Sequence, residues 1–211
     1  MTAHRRRLML VHVAAAAVSV TLLGRDPALA QSTGNRLPGL DVSDWQGNIN
    51  WSTVYNSGGK RFAFIRSSRG GTTGTYDEVA RTGTLSQRYD DLTFVTNITN
   101  ATSAGLYVGP YHFARPDIVT NTGVDEANHF LQQAGNWMRP GYLLPVLDAE
   151  AGQAERSPAN LSQFYIDFAN RIKQVVGVAP IIYINQNYAN YITADVAAAM
   201  PNNWEARWNG Q

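Results

Sequence analysis

The chain has 211 residues, of which 44% are hydrophobic and only 16% are charged, and its formal net charge is +1. This composition can bury a substantial core, so it argues against a disordered chain and fits one domain better than two. Cysteine is absent, so stability must come from the core rather than from disulfide bonds.

The first thirty residues have the pattern of a secretory signal peptide. Arg5, Arg6 and Arg7 precede an apolar stretch at 8–23, and Ala-Leu-Ala follows at 28–30, which is the order of n-region, h-region and cleavage site. A membrane anchor is the alternative, but the stretch is short for a bilayer span. We therefore predict a signal peptide at 1–30, a short lead at 31–37 and one folded domain at 38–211, in a secreted protein that is not held in a membrane after cleavage.

Cleavage after Ala30 changes the charge balance, because the removed segment contains four basic side chains and one acidic one. The whole chain has 17 basic and 16 acidic side chains, so 13 and 15 remain, a formal charge of −2. No cluster of Lys or Arg remains, and such a cluster is the electrostatic feature of nucleic-acid-binding proteins. We expect no nucleic-acid partner.

Short apolar runs that are typical of buried strands recur along the mature chain. They lie at Pro38 to Val42, Phe62 to Arg66, Leu106 to Phe113, Tyr142 to Asp148, Pro180 to Ile184 and Trp204 to Trp208.

Helical patterns separate several of these runs. The clearest begins after Ser157, an N-cap residue followed by Pro158, and ends before Gly177. Two more patterns run from Phe94 to Gly105 and from Val124 to Trp137. Strands that alternate with helices predict an α/β fold with a mostly parallel sheet.

The run "PVLDAE", residues 145–150, ends in two acids one residue apart, Asp148 and Glu150. Ligands of parallel α/β folds bind at the carboxyl ends of strands, and alternate strand residues point the same way. Two close carboxyls push one pKa up, so that one group can act as a general acid while the other stays ionised. Glycoside hydrolysis uses such a pair. The structural alternative is that both acids cap a turn or form surface ion pairs.

Two other predicted strands also end in polar and aromatic residues. Asp41 ends the first strand, with Asp44, Trp45 and Gln46 after it, and the third strand ends in Tyr111, His112, Phe113 and Arg115. Aromatic rings and amides beside carboxylates suit sugar binding, because a sugar ring has an apolar face and a rim of hydroxyls. Each aromatic residue taken alone is also compatible with a core position.

Five segments together resemble glycoside hydrolase family 25, the N,O-diacetylmuramidase lysozymes. They are "GLDVSDWQGNINW" at 39–51, "FAFIRSS" at 62–68, "AGLYVGPYHFARP" at 104–116, "PVLDAE" at 145–150 and "PIIYIN" at 180–185. The resemblance covers nearly all of the mature chain and implies a TIM-like (β/α) barrel. It also implies cleavage of the β-1,4 bond between N-acetylmuramic acid and N-acetylglucosamine in peptidoglycan, by a catalytic domain at 38–211.

The resemblance also implies roles for individual residues. Glu150 matches the family's general acid/base, Asp148 the group that orients or stabilises the substrate's 2-acetamido group, and Asp41 the acid of the first strand. Tyr111 matches a tyrosine near the sugar, and the residues implied to shape the site are Trp45, Gln46, Arg66 and Tyr183.

A retaining reaction assisted by the acetamido group is implied, while direct attack by water, with Asp41 or Asp148 as its base, is the rival. The resemblance implies no metal and no cofactor, and we expect a monomer with peptidoglycan strands as its partner.

The sequence departs from the family's pattern in two places. Arg69, within "RSSRG" at 66–70, stands where an acid is expected and inverts a charge near the cleft. The chain also has six predicted strands where family members continue through two more, so we expect a barrel that is incomplete or open at its C-terminal side.

Two other functions remain open at this stage. One is a non-catalytic protein that binds peptidoglycan on a degenerate lysozyme scaffold. The other is a metal-dependent hydrolase with Asp41, His112, Asp148 and Glu150 as ligands, although catalytic zinc sites usually contain more histidine.

Overall fold

The computed structural model describes residues 37–72 and 88–206, so the predicted signal peptide and nearly all of the lead at 31–37 lie outside the described residues. The strands are β1 (Gly39–Val42), β2 (Phe62–Gly70), β3 (Arg88–Asp90), β4 (Tyr107–Phe113), β5 (Val146–Asp148), β6 (Ile181–Asn185) and β7 (Asn203–Ala206). The helices are α1 (Trp51–Asn56), α2 (Phe94–Ser103), α3 (Gly123–Ala134), α4 (Pro158–Val176) and α5 (Ala194–Ala199), with short 3-10 helices that include Asp44–Gln46.

The strands form one sheet with the order β1-β2-β4-β5-β6-β7, in which every neighbouring pair is parallel. The short strand β3 is antiparallel to the end of β2. The sheet curls into an open, incomplete α/β barrel, which confirms the predicted fold class.

All six predicted strands are present, with changes at their ends. β2 continues to Gly70, beyond the predicted end at Arg66, because it pairs with β3 on one side and β4 on the other. β5 is shorter than predicted, because Pro145 has no N–H with which to continue the ladder, although Leu143 still donates its N–H to the Val108 carbonyl of β4. Strand β3, together with helices α1 and α5, was not predicted.

Helix α4 shows how the local sequence determines an element. The Ser157 side chain accepts the N–H of Asn160, Pro158 is the first helical residue, and Gly177 ends the helix with a positive φ of 85°. These features confirm the helix predicted from capping residues and apolar spacing.

The two faces of the sheet have different cores. The outer face packs against the helices through a large apolar cluster that includes Ile65, Leu147, Phe168 and Ile182. The inner face has a smaller cluster formed by Phe64, Val146, Ile181 and Trp204. The Phe64 and Trp204 ring centroids are 5.1 Å apart, so this inner cluster is an apolar floor inside the open barrel. None of the helices in the described part of the chain is both long and apolar enough to span a membrane.

The close approach of α3 to α4 generates a stability prediction. A Cβ atom at Gly123 would lie 1.9 Å from the Phe164 carbonyl oxygen, whereas a Cβ atom at Gly135 would meet nothing within 4 Å. We expect Gly123→Ala to lower the free energy of unfolding by about 2 kcal/mol or more, because backbone must move to relieve the overlap. Gly135→Ala should leave it within about 1 kcal/mol of the parent value.

Denaturant titrations of the parent and both variants would measure these changes. Equal stability of the two variants would show that the backbones of α3 and α4 are not in close contact at Gly123.

Candidate active site

The candidate site lies on the inner face of the sheet, directly above the apolar floor. Asp148 and Tyr183 are in register on β5 and β6, two residues beyond the floor residues Val146 and Ile181. Because alternate strand residues share a face, the inner face changes from apolar side chains to polar ones toward the C-terminal ends of the strands. Asp41 joins this row from β1 and Tyr111 from β4: the Asp41 charge acts on Asp148, and the charges of both acids act on the Tyr111 phenol.

Asp148 is the most enclosed acid of the site, with only 8% of its surface exposed. Burial raises the pKa of its carboxyl well above the ordinary value, and the charges of Glu150 and Asp41 raise it further. Arg66 lowers the pKa in part. Among the described residues, none hydrogen-bonds to its Oδ1 atom. A buried acceptor without a partner is costly in a folded protein, and such positions often serve function.

Glu150 lies two residues beyond Asp148, just past the end of β5, and is half-buried. Burial is the main cause that raises its carboxyl pKa, and the Asp41 charge adds to the effect. Hydrogen bonding from Asn185 and Tyr183 lowers the pKa in part. Glu150 is therefore an acid that holds its proton to higher pH than a free glutamate and still contacts solvent.

Asp41 completes a group of three carboxyls that includes Asp148 and Glu150. Burial raises the pKa of Asp41, although a backbone hydrogen bond lowers it in part. All three pKa values are shifted in the same direction, so the cluster tends to retain protons. A site that retains protons near a cleft can supply one to a leaving group.

Arg66 provides the buried positive charge of the site. It forms salt bridges to Asp44 and, at 3.1 Å, to Asp91. The Asp91 carboxylate also accepts the Asp44 backbone N–H at 3.0 Å, so Arg66 ties the loop after β1 to the segment after β3. The guanidinium also lies 5.1 Å from the centre of the Tyr89 ring.

Trp45 and Gln46 belong to the 3-10 helix that follows β1. The Gln46 side chain accepts the Ser43 backbone N–H at 2.7 Å in a capping box, so it fixes the path of the loop. Trp45 has 54% of its surface exposed. A large aromatic residue held at this exposure by a capped loop is suited to stack against a ligand.

The two tyrosines have different positions. Burial raises the pKa of Tyr111 well above the ordinary value, while Arg66 lowers it in part. Burial likewise raises the pKa of Tyr183, and the Glu150 charge adds to the effect. Both phenols therefore remain protonated and can donate hydrogen bonds toward the carboxyls.

His112 lies on the opposite face of the sheet from its neighbour Tyr111. Its Nδ1 is 2.8 Å from the Ser68 hydroxyl and its Nε2 is 3.1 Å from the Glu126 carboxylate. The sequence hypothesis of a metal site made of His112 and the three acids is therefore wrong in its geometry. Within residues 37–72 and 88–206, no group of three or more His, Cys, Asp or Glu side chains could hold a metal ion.

Arg69, the charge that departs from the family's pattern, is in register with Phe113 on β4 and with Tyr89 on β3. Its guanidinium carbon lies 5.4 Å from the centre of the Tyr89 ring. Burial alone would raise the pKa of Asp117, but the hydrogen bond and charge of Arg115 lower it, and the Arg69 charge adds a smaller effect in the same direction. The Arg69 charge thus lies near the C-terminal end of β2 and affects the loop that follows β4.

Sequence reasoning missed two residues of the site, Asn185 and Asp91. Asn185 could have been found, because it lies two residues beyond Tyr183 at the end of "PIIYIN", the same spacing that relates Asp148 to Glu150. Asp91 gave no comparable signal, since it reaches Asp44 only through tertiary contacts over 47 residues.

The fold and the site define an α/β-barrel protein with a carboxyl-lined cleft at the C-terminal ends of its strands, where barrel enzymes have their active sites. The sequence pattern of the glycosyl hydrolases family 25 matches residues 40–211. The chain belongs to this family.

Individual relatives agree with this assignment. Lysozyme M1 of Streptomyces globisporus is 34% identical over 179 residues, which are 81% of this chain and 54% of that protein. An N,O-diacetylmuramidase of Arthroderma benhamiae is 27% identical over 86% of this chain and 71% of its own length. The crystal structure of the bacterial lysozyme from Streptomyces coelicolor matches with a TM-score of 0.66 and 33% identity, covering 82% of this chain and 75% of that one. The chain thus spans about half the length of the Streptomyces globisporus lysozyme.

The buried Asp148 carboxyl generates a prediction about pH and stability. Its pKa is raised in the folded protein above the ordinary 3.8, so its stabilising contribution is present below that pH and is lost as the pH rises through the folded-state pKa. Asp148→Asn has no proton to lose. We expect its melting temperature relative to the parent to increase between about pH 4 and about pH 7.

Thermal melts across this range would test the prediction. Asp195→Asn, at an exposed position in the first turn of α5, is the matched control and should show a much smaller change. A difference between Asp148→Asn and the parent that does not vary with pH would contradict the buried, proton-retaining carboxyl.

Proposed function

We propose that this protein is a lysozyme that hydrolyses the β-1,4 bond between N-acetylmuramic acid and N-acetylglucosamine in bacterial peptidoglycan. The observation that carries the proposal is Glu150, a half-buried acid with a raised pKa that lies close enough to Asp41 and Asp148 for the charges to interact. Family membership and relatives named as a lysozyme and an N,O-diacetylmuramidase support it.

Glu150 acts as the general acid/base in this proposal. Cleavage of a glycosidic bond leaves electrons on the departing oxygen, which must receive a proton while positive charge develops at the anomeric carbon. Its raised pKa favours the protonated form of Glu150, which the first step requires. After giving up the proton, the carboxylate activates a water molecule as a base.

Asp148 assists the substrate rather than the leaving group. Among the described residues its buried Oδ1 atom has no hydrogen-bond partner, and an N–H of the sugar's 2-acetamido group would provide one. Such a contact orients the acetamido oxygen toward the anomeric carbon, so the substrate itself supplies the nucleophile. We therefore favour the acetamido-assisted, retaining course over direct attack by water.

Asp41 contributes charge close to the reacting atoms. It raises the pKa values of both Asp148 and Glu150, so it favours the protonated form of the acid. The same negative charge stabilises positive charge as it develops on the sugar.

Trp45 and Tyr111 provide surfaces for the glycan. The exposed Trp45 ring suits stacking on the apolar face of a sugar, and the Tyr111 hydroxyl suits hydrogen bonding deeper in the cleft. The partner in this proposal is the peptidoglycan strand. The signal-peptide pattern at 1–30 supports action outside the cell.

Replacement of Glu150 tests the function directly. We expect Glu150→Gln to reduce the release of new reducing ends from purified peptidoglycan by about 100-fold or more, because the amide cannot transfer the proton. Glu155→Gln changes an exposed glutamate in the next 3-10 helix and should retain parental activity. Chemical identification of the sugar at each new end should give N-acetylmuramic acid.

Two outcomes would contradict the proposal. Equal activity of the parent and Glu150→Gln would remove Glu150 from the reaction. A folded parent that sediments with peptidoglycan but releases no ends would favour the non-catalytic binding protein instead. Proton NMR of fresh product would report the mechanism, since acetamido assistance retains the β configuration and direct water attack inverts it.

A further inference from the structure

The loop that follows β6 fixes the orientation of one amide beside the acid cluster. The Oδ1 atom of Asn185 accepts the backbone N–H of Asn187 at 3.0 Å, in a turn in which an Asn side chain bonds to the backbone two residues on. Because the oxygen end is occupied by this donor, the amide NH₂ is the end that is directed away from the turn. Asn185 is therefore presented to the cleft as a hydrogen-bond donor.

The sheet places this donor next to Glu150. Asp148 and Tyr183 are in register, and the ladder continues through the Ala149 N–H, which donates to the Tyr183 carbonyl at 2.9 Å. Two residues beyond that register lie Glu150 on one chain segment and Asn185 on the other. Alternate residues of β6 share a face, so Asn185 lies on the inner face with Tyr183, and Glu150, just past the end of β5, is within hydrogen-bonding reach of both.

We propose that Asn185 is a positioning residue of the active site, which holds the Glu150 carboxyl from β6 and favours its ionised form by donating a hydrogen bond. This inference rests on the proposed function, in which Glu150 is the acid/base. Asn185 touches Glu150 and not the glycan in this role.

The need for such a donor follows from the other groups that face Glu150. Burial and the negative charge of Asp41 both oppose ionisation of Glu150, and its own charge acts on Asp148. The positive charge of Arg66 is shared with other carboxylates. Glu150 must nevertheless ionise during each catalytic cycle to act as a base. Hydrogen bonding from Asn185 and the Tyr183 hydroxyl favours that ionised state.

Two substitutions at Asn185 separate the donor from the turn. In Asn185→Asp the side-chain oxygen can still accept the Asn187 N–H, so the loop is retained, but a carboxylate replaces the NH₂ group beside Glu150. In Asn185→Ala both interactions are lost. Asn170→Asp introduces the same charge at an exposed position on the outer helix α4 and is the matched control.

The primary measurement is the titration of the Glu150 side-chain carboxyl in each folded protein, followed by carbon NMR and assigned by its disappearance in Glu150→Gln. We expect the Glu150 pKa to rise by about half a unit to one unit in Asn185→Ala, because one hydrogen bond to the charged form is lost. The rise should be larger in Asn185→Asp, because a like charge is added. Asn170→Asp should leave the titration unchanged.

The pH profile for release of reducing ends from peptidoglycan is the second readout. The alkaline limb of the pH profile of kcat/KM should move to higher pH in both Asn185 variants, by the same number of pH units as the Glu150 pKa measured by NMR. A fall in activity with neither the titration nor the limb displaced would overturn the proposal, because a purely structural role predicts that result.

The titration does not require activity, so this proposal and the proposed function fail in different ways. If the parent releases no reducing ends but the Glu150 pKa rises as expected in the Asn185 variants, the lysozyme function is refuted and the contact between Asn185 and Glu150 is retained. If the parent is active but the Glu150 pKa is unchanged in both Asn185 variants, the positioning role of Asn185 is refuted and the lysozyme function is retained.

Discussion

The inner face of the parallel sheet carries both an apolar floor and the acids of the site, and this arrangement controls the chemistry. Val146 lies in the floor and Asp148 lies two residues above it on the same strand. Strand geometry gives that step a length of about 6.5 Å, so the carboxyl stands at the edge of a low-dielectric layer. Its pKa is raised mainly by burial for this reason. The adjacent strand repeats the step from Ile181 to Tyr183.

The buried arginine of this face is compatible with proton-retaining acids because it is already paired. Arg66 has two carboxylate partners, Asp44 and Asp91, so only part of its field reaches Asp148. A direct, exclusive ion pair between Arg66 and Asp148 would lower the Asp148 pKa and keep that acid ionised. Asp44 and Asp91 therefore stabilise the buried Arg66 and also limit its effect on the pKa of Asp148.

The sequence predicted the parts of this structure that depend on local rules. The alternation of apolar runs with capped helices predicted the parallel sheet, and the acids at strand ends predicted that Asp41, Asp148 and Glu150 lie close together. Contacts between distant segments could not be predicted in this way, as with Asp91 or the three-residue strand β3. The capping role of Gln46 was not predicted either, because its hydrogen bond to Ser43 depends on the loop geometry.

The position of His112 follows from the alternation of side chains along β4, and this alternation already argues against the metal site considered from the sequence. Tyr111 and His112 are adjacent on β4, so they must point to opposite faces. Once Tyr111 is assigned to the cleft, His112 cannot join the acids there, and the structure places it among Ser68 and Glu126 on the helix side. Burial lowers the pKa of His112 even though Glu126 opposes the change.

The sheet thus has a buried polar cluster on each face, and residue type alone does not show which one is functional. On the helix side, the Glu126 carboxylate accepts hydrogen bonds from the Arg115 backbone N–H and the Asn121 amide and contacts His112. Such a buried network stabilises one packing arrangement, although the Asn121 Oδ1 atom in it has no hydrogen-bond partner among the described residues. In the cleft, the Asp148 Oδ1 atom has no partner among the described residues. That unmet hydrogen bond costs stability in the free protein, and a substrate that supplies the missing donor recovers the cost only when it binds. The two buried carboxyls therefore differ, because both oxygens of Glu126 have partners within the protein, whereas Asp148 has an oxygen left for a ligand.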